Sequence, residues 1–178
     1  MIRLLVCDFD GCMTDNHVYV DAVGNESVRC SRADGIGIEK VKALGIDVAV
    51  ITNELGTTPA VARCHKLGIK CIQTEDKLGA LMLLAMDAHI DLKDVAYVGN
   101  DDNDLPCLKA VGYPWVVWDS SRSLEKQFSD LKFMIEPYGN PFPGLISLDP
   151  QKISVTKAKG GDGAVREVWE WIVAQCST

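Results

Sequence analysis

Two carboxylates, Asp8 and Asp10, close the short apolar run Ile2-Arg3-Leu4-Leu5-Val6-Cys7, with one residue between them and Gly11 behind. A run of this kind, bounded by polar residues and glycine, predicts a buried strand. At the carboxyl end of a parallel strand the last side chains face a ligand crevice rather than the core. Two close carboxylates repel, so a divalent cation or a shared proton has to relieve them. Hard oxygen ligands favour the cation. With Asp8 held ionised, its carboxylate can attack a phosphorus atom, and Asp10 can give a proton to the departing alcohol. An acidic turn at a sheet edge reads the same way in isolation, so the rest of the chain has to decide.

Three further stretches bear on it. The nearly continuous apolar run 46–51 is a second buried strand, and it delivers Thr52 and Asn53 at its end. A hydroxyl, a side-chain amide and free backbone N–H groups there suit a phosphate oxygen, although Thr52 also reads as a plain helix cap. Lys77 opens an apolar-periodic helix through Leu78, Leu81, Met82 and Met86. A lysine in a first helical turn opposes the macrodipole. Unless it is only a solvated surface lysine, its ammonium offsets the carboxylates and stabilises charge on a transferring phosphoryl group. The strand 95–98 then empties into Gly99-Asn100-Asp101-Asp102-Asn103-Asp104. Oxygens from both acidic strand ends complete a site for Mg²⁺, which takes one or two carboxylates plus waters and phosphate. Asp104, at the start of the next helix, is placed to hold Lys77 or a metal-bound water.

The elements that must position these residues follow from patterning. Strands at 2–7, 46–51, 69–72, 95–98 and 115–117 alternate with helices at 34–44, 57–67, 77–86 and 164–174, with a short helix at 124–131 and strands at 133–135 and 152–156 late in the chain. The expected fold is an α/β, Rossmann-like, doubly wound parallel sheet of five or six strands, forming a single domain over all 178 residues. Residues 17–32 depart from this alternation and read as a β-hairpin whose turn contains Gly24-Asn25, with Tyr19 and Val20 as its natural contact surface. A two-stranded ribbon is marginal alone and either lies on its own chain or pairs with copies of itself. The final helix places Val165, Val168, Trp169 and Ile172 on one face and leaves Trp171 off it, as a partner contact or an exposed residue.

Composition excludes several classes. An apolar fraction of 47% and a net charge of −7 describe an ordinary globular chain without the basic surface that nucleic acids or anionic membranes require. No apolar stretch is long enough to span a bilayer, and a cytoplasmic location is expected. Seven scattered cysteines without a C-x-x-C pair disfavour a disulfide framework or structural zinc.

Asp8-x-Asp10-Gly11 with Thr14, Thr52 after a strand, Lys77, and Gly99-Asn100-Asp101-x-x-Asp104 resemble, in order and spacing, the four motifs of the haloacid dehalogenase superfamily. The hairpin, Asp34-Gly35-Ile36-Gly37-Ile38 and Gly160-Gly161-Asp162-Gly163-Ala164-Val165-Arg166-Glu167 make the chain similar to its small cap-less phosphatases of sugar-acid phosphates. These include the octulosonate 8-phosphate and nonulosonate 9-phosphate enzymes; the phosphatase-like domain appended to sialate cytidylyltransferases is similar too.

The resemblance implies that Asp8 is the nucleophile and Asp10 the acid that later activates water, with Thr52 and Lys77 binding the phosphoryl group. Mg²⁺ would take the Asp8 carboxylate, the Asp10 carbonyl and the residue after Gly99. Gly11, Asn53, Asp34 and Arg166 are the candidate substrate contacts, Arg166 because its fork pairs carboxylate or phosphate bidentately. A homotetramer is implied, in which a neighbour's hairpin and Gly-rich tail close each site.

The chain departs from the family pattern in three places. Asn100 stands where Asp is common, which leaves Asn100 and Asp101 as alternative ligands; Asn53 stands where Gly is frequent; and residues 136–159, with four prolines, form an unexpected insertion. Two other functions stay open: a catalytically silent oligomerisation or regulatory module associated with a sialate cytidylyltransferase, and a phosphatase for another small phosphorylated metabolite.

Overall fold

Alternate residues of the first strand enter opposite hydrophobic cores, which is why the run is apolar throughout. In β1 (Leu4–Cys7) Leu5 and Cys7 join one core, while Leu4 and Val6 join the other. The same alternation divides β4 (Asp47–Thr52) and β6 (Val95–Gly99), as expected of strands covered on both faces. The computed structural model describes residues 1–127, 146–148 and 151–176. The strand expected at 133–135, the end of the helix expected at 124–131, and much of the 136–159 insertion lie outside them.

Six strands are parallel, in the order β5 (Lys70–Gln73), β4, β1, β6, β7 (Tyr113–Val116) and β9 (Gln151–Val155). The short β8 (Ile146–Leu148) pairs antiparallel with β9 at the edge. The chain leaves β1 for β4 and β5 on one side and returns to β6 on the other. The ends of these central strands therefore frame a switch-point crevice, where ligands of open α/β sheets bind. Helices α1 (Arg32–Ala43) and α6 (Ala164–Cys176) contribute to the core on one face, and α3 (Lys77–Asp87) and α4 (Leu105–Ala110) to that on the other. α2 (Pro59–Leu67) packs beside β5, and α5 (Arg122–Gln127) seats Leu124 in the second core. The hairpin β2 (Thr14–Val20) and β3 (Glu26–Cys30) forms a separate two-stranded sheet directly after the first acidic pair.

Several expectations need correction. Met82 and Met86 are exposed, because α3 turns Leu81, Leu84 and Ala85 to the sheet instead. Leu44 is likewise exposed while Ile38 and Val41 are buried. Trp171 packs edge-on against Trp115 at 5.3 Å and tilted against Tyr113 at 5.9 Å, so sheet aromatics draw it inward from beside the helix stripe.

Asp34 ties α1 to α6. It is fully buried, its Oδ1 accepts the backbone N–H of Arg166 at 2.9 Å, and its Oδ2 has no hydrogen-bond partner among the described residues. Burial pushes its carboxyl up to about 6, against the pull of that N–H and of the Arg63 and Arg166 charges. A carboxyl raised by folding contributes stability below its ordinary pKa near 4, and that contribution is lost as pH climbs to 6. Asp34→Asn keeps the acceptor and removes the charge. Thermal unfolding should show it level with wild type at pH 4 and more stable above pH 6 by about 3 kcal/mol, several degrees in Tm. Equal stability at both pH values would contradict the assignment.

Candidate active site

Asp8 begins one residue beyond β1, and its backbone N–H donates to Val98 carbonyl at 2.9 Å, extending the parallel ladder into the crevice. Its Oδ1 accepts from its neighbour Phe9 N at 2.7 Å and lies 2.9 Å from Lys77 Nζ. Lys77 is 3% exposed at the first position of α3, whose start is capped by Asp76 accepting from Gly79 N. The ammonium also donates to Asp104 Oδ1 at 2.8 Å, so it bridges the two acidic strand ends. The alternative of a solvated surface lysine is excluded.

Asp104 is completely buried and saturated. Its Oδ1 takes the Lys77 ammonium and the Tyr97 hydroxyl, each at 2.8 Å, and its Oδ2 takes the backbone N–H of Asn100 at 2.9 Å and of Asp101 at 3.2 Å. Burial, then the Asp104 charge, push Asp8 up to about 7, while Lys77 pulls the other way. Burial would lower Lys77, but the two carboxylates hold it above the ordinary lysine value. Asp10 is raised by its burial and by Glu54, tempered by the Thr14 hydroxyl at 3.4 Å.

The structure brings Asn100, not Asp101, against the first carboxylates. One amide atom of Asn100 lies 3.2 Å from Asp8 Oδ2 and 2.9 Å from the Asp10 carbonyl oxygen. Asp101 is exposed and spends its Oδ1 on Asp102 N at 2.7 Å, capping the single turn Asp102–Asp104. Gly11 has φ +78°, and any Cβ there would run into the Asn100 amide. Gly160 is forced in the same way, since a Cβ would strike the carbonyls of Gly11 and Thr14. The Gly-rich turn of the chain's own tail thus braces the catalytic loop, with Gly161 N donating to the Cys12 carbonyl. Arg29 of the hairpin joins the brace through Asp15 and Asp162, both at 2.8 Å.

Thr52 is buried at the end of β4, its hydroxyl accepting from Glu54 N at 3.1 Å. Asn53 is engaged with the protein: its amide donates to the Thr74 carbonyl at 2.8 Å and accepts from Asn103, joining the loops that follow β4, β5 and β6. Asp34 and Arg166 have no hydrogen bond or ion pair with the Asp8 cluster among the described residues, and Arg166 Nε donates to Glu170 at 2.8 Å. Tyr97, Asn103, Glu54 and Glu26 escape sequence reasoning. Of these only Tyr97, a polar-tipped aromatic inside an apolar strand, carries a local signal.

A cleft of about 200 Å³ beside Asp10 is lined by Asn16, His17, Glu26, Glu54 and Thr58 and leads to the site. A larger cavity of about 380 Å³, between Tyr113, Trp115 and Trp171, lies at the opposite ends of the strands, away from these carboxylates.

No family model matches the sequence. The 3-deoxy-D-manno-octulosonate 8-phosphate phosphatase KdsC of Yersinia pestis is 33% identical over 174 residues, 97% of this chain and 80% of that protein. The chain belongs to the haloacid dehalogenase superfamily, among its sugar-acid phosphatases. The corresponding phosphatase of Moraxella catarrhalis, solved with magnesium, phosphate and KDO, superposes with a TM-score of 0.77 at 29% identity, covering 97% of this chain and 86% of that one. N-acylneuraminate cytidylyltransferase A of Danio rerio is 33% identical over 122 residues, which are 67% of this chain but 28% of that protein's length.

This haloacid dehalogenase-type phosphatase is a phosphoric monoester hydrolase whose cofactor is a divalent cation such as Mg²⁺. Its residues fit that ion. Among the described residues no three His, Cys, Asp or Glu side chains converge on a metal position, but Mg²⁺ needs only one or two carboxylates beside other oxygens. With the Asn100 oxygen turned inward, three oxygens stand 2.9 and 3.2 Å apart, against an edge of about 3 Å in an octahedron of Mg–O bonds.

Because Tyr97 supplies one of four donors to a buried carboxylate, Tyr97→Phe should cost about 2 kcal/mol, or about 4–8 °C in Tm. An unchanged melting curve would show that Asp104 does not depend on it.

Proposed function

We propose that the protein hydrolyses the terminal phosphate of a sugar acid, a nonulosonate 9-phosphate or a 3-deoxy-octulosonate 8-phosphate, through a phosphorylated Asp8. The observation that carries this reading is the Lys77 bridge, which holds Asp8 Oδ1 and Asp104 Oδ1 at 2.9 and 2.8 Å and leaves Asp8 Oδ2 turned toward Asn100 and the Asp10 carbonyl.

Asp8 Oδ2 attacks the phosphorus, and the bond to the ester oxygen breaks. Asp10, whose raised carboxyl retains its proton more readily than an ordinary aspartate, gives it to the departing alcohol. The Thr52 hydroxyl and the Lys77 ammonium take the phosphoryl oxygens as charge moves onto them. Asp10, now a base, removes a proton from water; the water attacks the phosphorus of phospho-Asp8, which releases phosphate and restores the carboxylate. A divalent cation held by the Asp8 carboxylate, the Asp10 carbonyl and Asn100 supplies the positive charge that keeps Asp8 ionised and neutralises the phosphoryl group.

The exposed Val18, Tyr19 and Val20 of the hairpin support assembly into a homotetramer in which ribbons pack together. The cleft opens beside this hairpin, where a neighbouring ribbon in such an assembly would narrow it. The likeness to a cytidylyltransferase supports a second reading, a silent module serving such an enzyme. Retention of Asp8, Asp10, Thr52 and Lys77 in one built cluster favours catalysis.

Phosphate release should be measured over octulosonate, nonulosonate and simple sugar phosphates, with and without Mg²⁺. The expected result is Mg²⁺-dependent turnover of a sugar-acid phosphate, reduced at least 10³-fold in Asp8→Asn, as for loss of a covalent nucleophile. No turnover on any compound would support the silent module, and turnover of simple phosphates alone would move the substrate to another small metabolite.

A further inference from the structure

Asn100 is an amide buried between the two acidic strand ends, and its surroundings give it one freedom. The backbone is pinned from both sides. Asn100 N donates to Asp104 Oδ2 at 2.9 Å, and the Asn100 carbonyl accepts from Ser121 N at 2.7 Å. The residue is 4% exposed, and the Cβ missing at Gly11 leaves the space in which its amide lies. What can still turn is the last side-chain bond, whose profile is broad and two-fold.

The two orientations do different things. With NH₂ inward, the amide donates to Asp8 Oδ2 at 3.2 Å and to the Asp10 carbonyl at 2.9 Å, and both ends of the amide are satisfied. With oxygen inward, the same two contacts bring acceptors face to face, and a cation between them relieves both, where a proton on Asp8 would relieve only one. An ionised aspartate has the second option alone. It would also set another buried carboxylate about 3 Å from one that burial already disfavours.

We propose that Asn100 is an amide latch: its NH₂ ties the loop after β6 to the Asp8–Asp10 loop while no cation is bound, and its oxygen turns inward to ligate when one arrives. The latch keeps the two strand ends assembled at low metal concentration, and in exchange it offers a neutral ligand that binds the ion more weakly. The inference rests on reading these oxygens as the cation site.

Calorimetric titration with Mg²⁺ and thermal unfolding in chelator and in excess Mg²⁺ test it on the whole chain. Asn100→Asp should bind Mg²⁺ at least tenfold more tightly. In chelator it should melt about 4 °C or more below wild type, and Mg²⁺ should close that gap. Asn100→Ala loses donor and ligand together, so it should melt low in chelator, bind Mg²⁺ more weakly, and recover less. An Asn100→Asp protein as stable as wild type in chelator, or one whose deficit and Mg²⁺ affinity do not change with the substitution and the metal as stated, overturns the latch. If wild type hydrolyses no sugar-acid phosphate yet these shifts appear, the substrate reading fails and the latch stands. If wild type is an Mg²⁺-dependent phosphatase and the shifts are absent, the latch alone fails.

Discussion

A buried ammonium between two buried carboxylates is the interaction on which the site depends. Taking three charges out of water is costly, and the arrangement persists only because each is heavily hydrogen-bonded. Asp104 accepts from four donors, and Asp8 accepts from its neighbouring N–H as well as from Lys77. Removing one member of such a set typically costs about 3–5 kcal/mol, because the others are left uncompensated. The triad is therefore a structural clasp between the ends of β1 and β6 as much as chemical equipment. It aims Asp8 by holding one oxygen and leaving the other toward Asn100.

Around this clasp the loops brace one another. Asn53 links the strand ends on the β4–β5 side to Asn103 on the β6 side. The Gly-rich turn at Gly160 closes against the backbone of Gly11 and Thr14, and Arg29 carries that brace to the hairpin. The hairpin leaves Val18, Tyr19 and Val20 uncovered, and in the proposed assembly they meet neighbouring ribbons.

The sheet was legible because its central strands are covered on both faces and read as apolar runs. Asp8, Lys77 and Asp104 were legible because each breaks a local rule: charges at the end of a buried run, and a lysine where the helix dipole disfavours it. The partners that make the cluster stable leave no such mark. Tyr97 meets Asp104 across a strand end, Asn103 meets Asn53 from 50 residues away, and Gly160 meets Gly11 only because the tail folds back. α3 misled for another reason. Its sequence is apolar nearly all round, so periodicity could not say that Leu84 rather than Met82 or Met86 faces the sheet. Asp34 and Arg166 lie 132 residues apart, and the carboxylate of one and the backbone N–H of the other join α1 to α6.

In the proposed reaction Asp8 itself carries the phosphoryl group. Rapid acid quenching during turnover with Mg²⁺, followed by peptide mass analysis, tests it most directly. A transient, hydroxylamine-labile peptide containing Asp8, heavier by one phosphoryl group and absent without the metal, is the expected result. Steady turnover with no such adduct, or an adduct on any other residue, would contradict it.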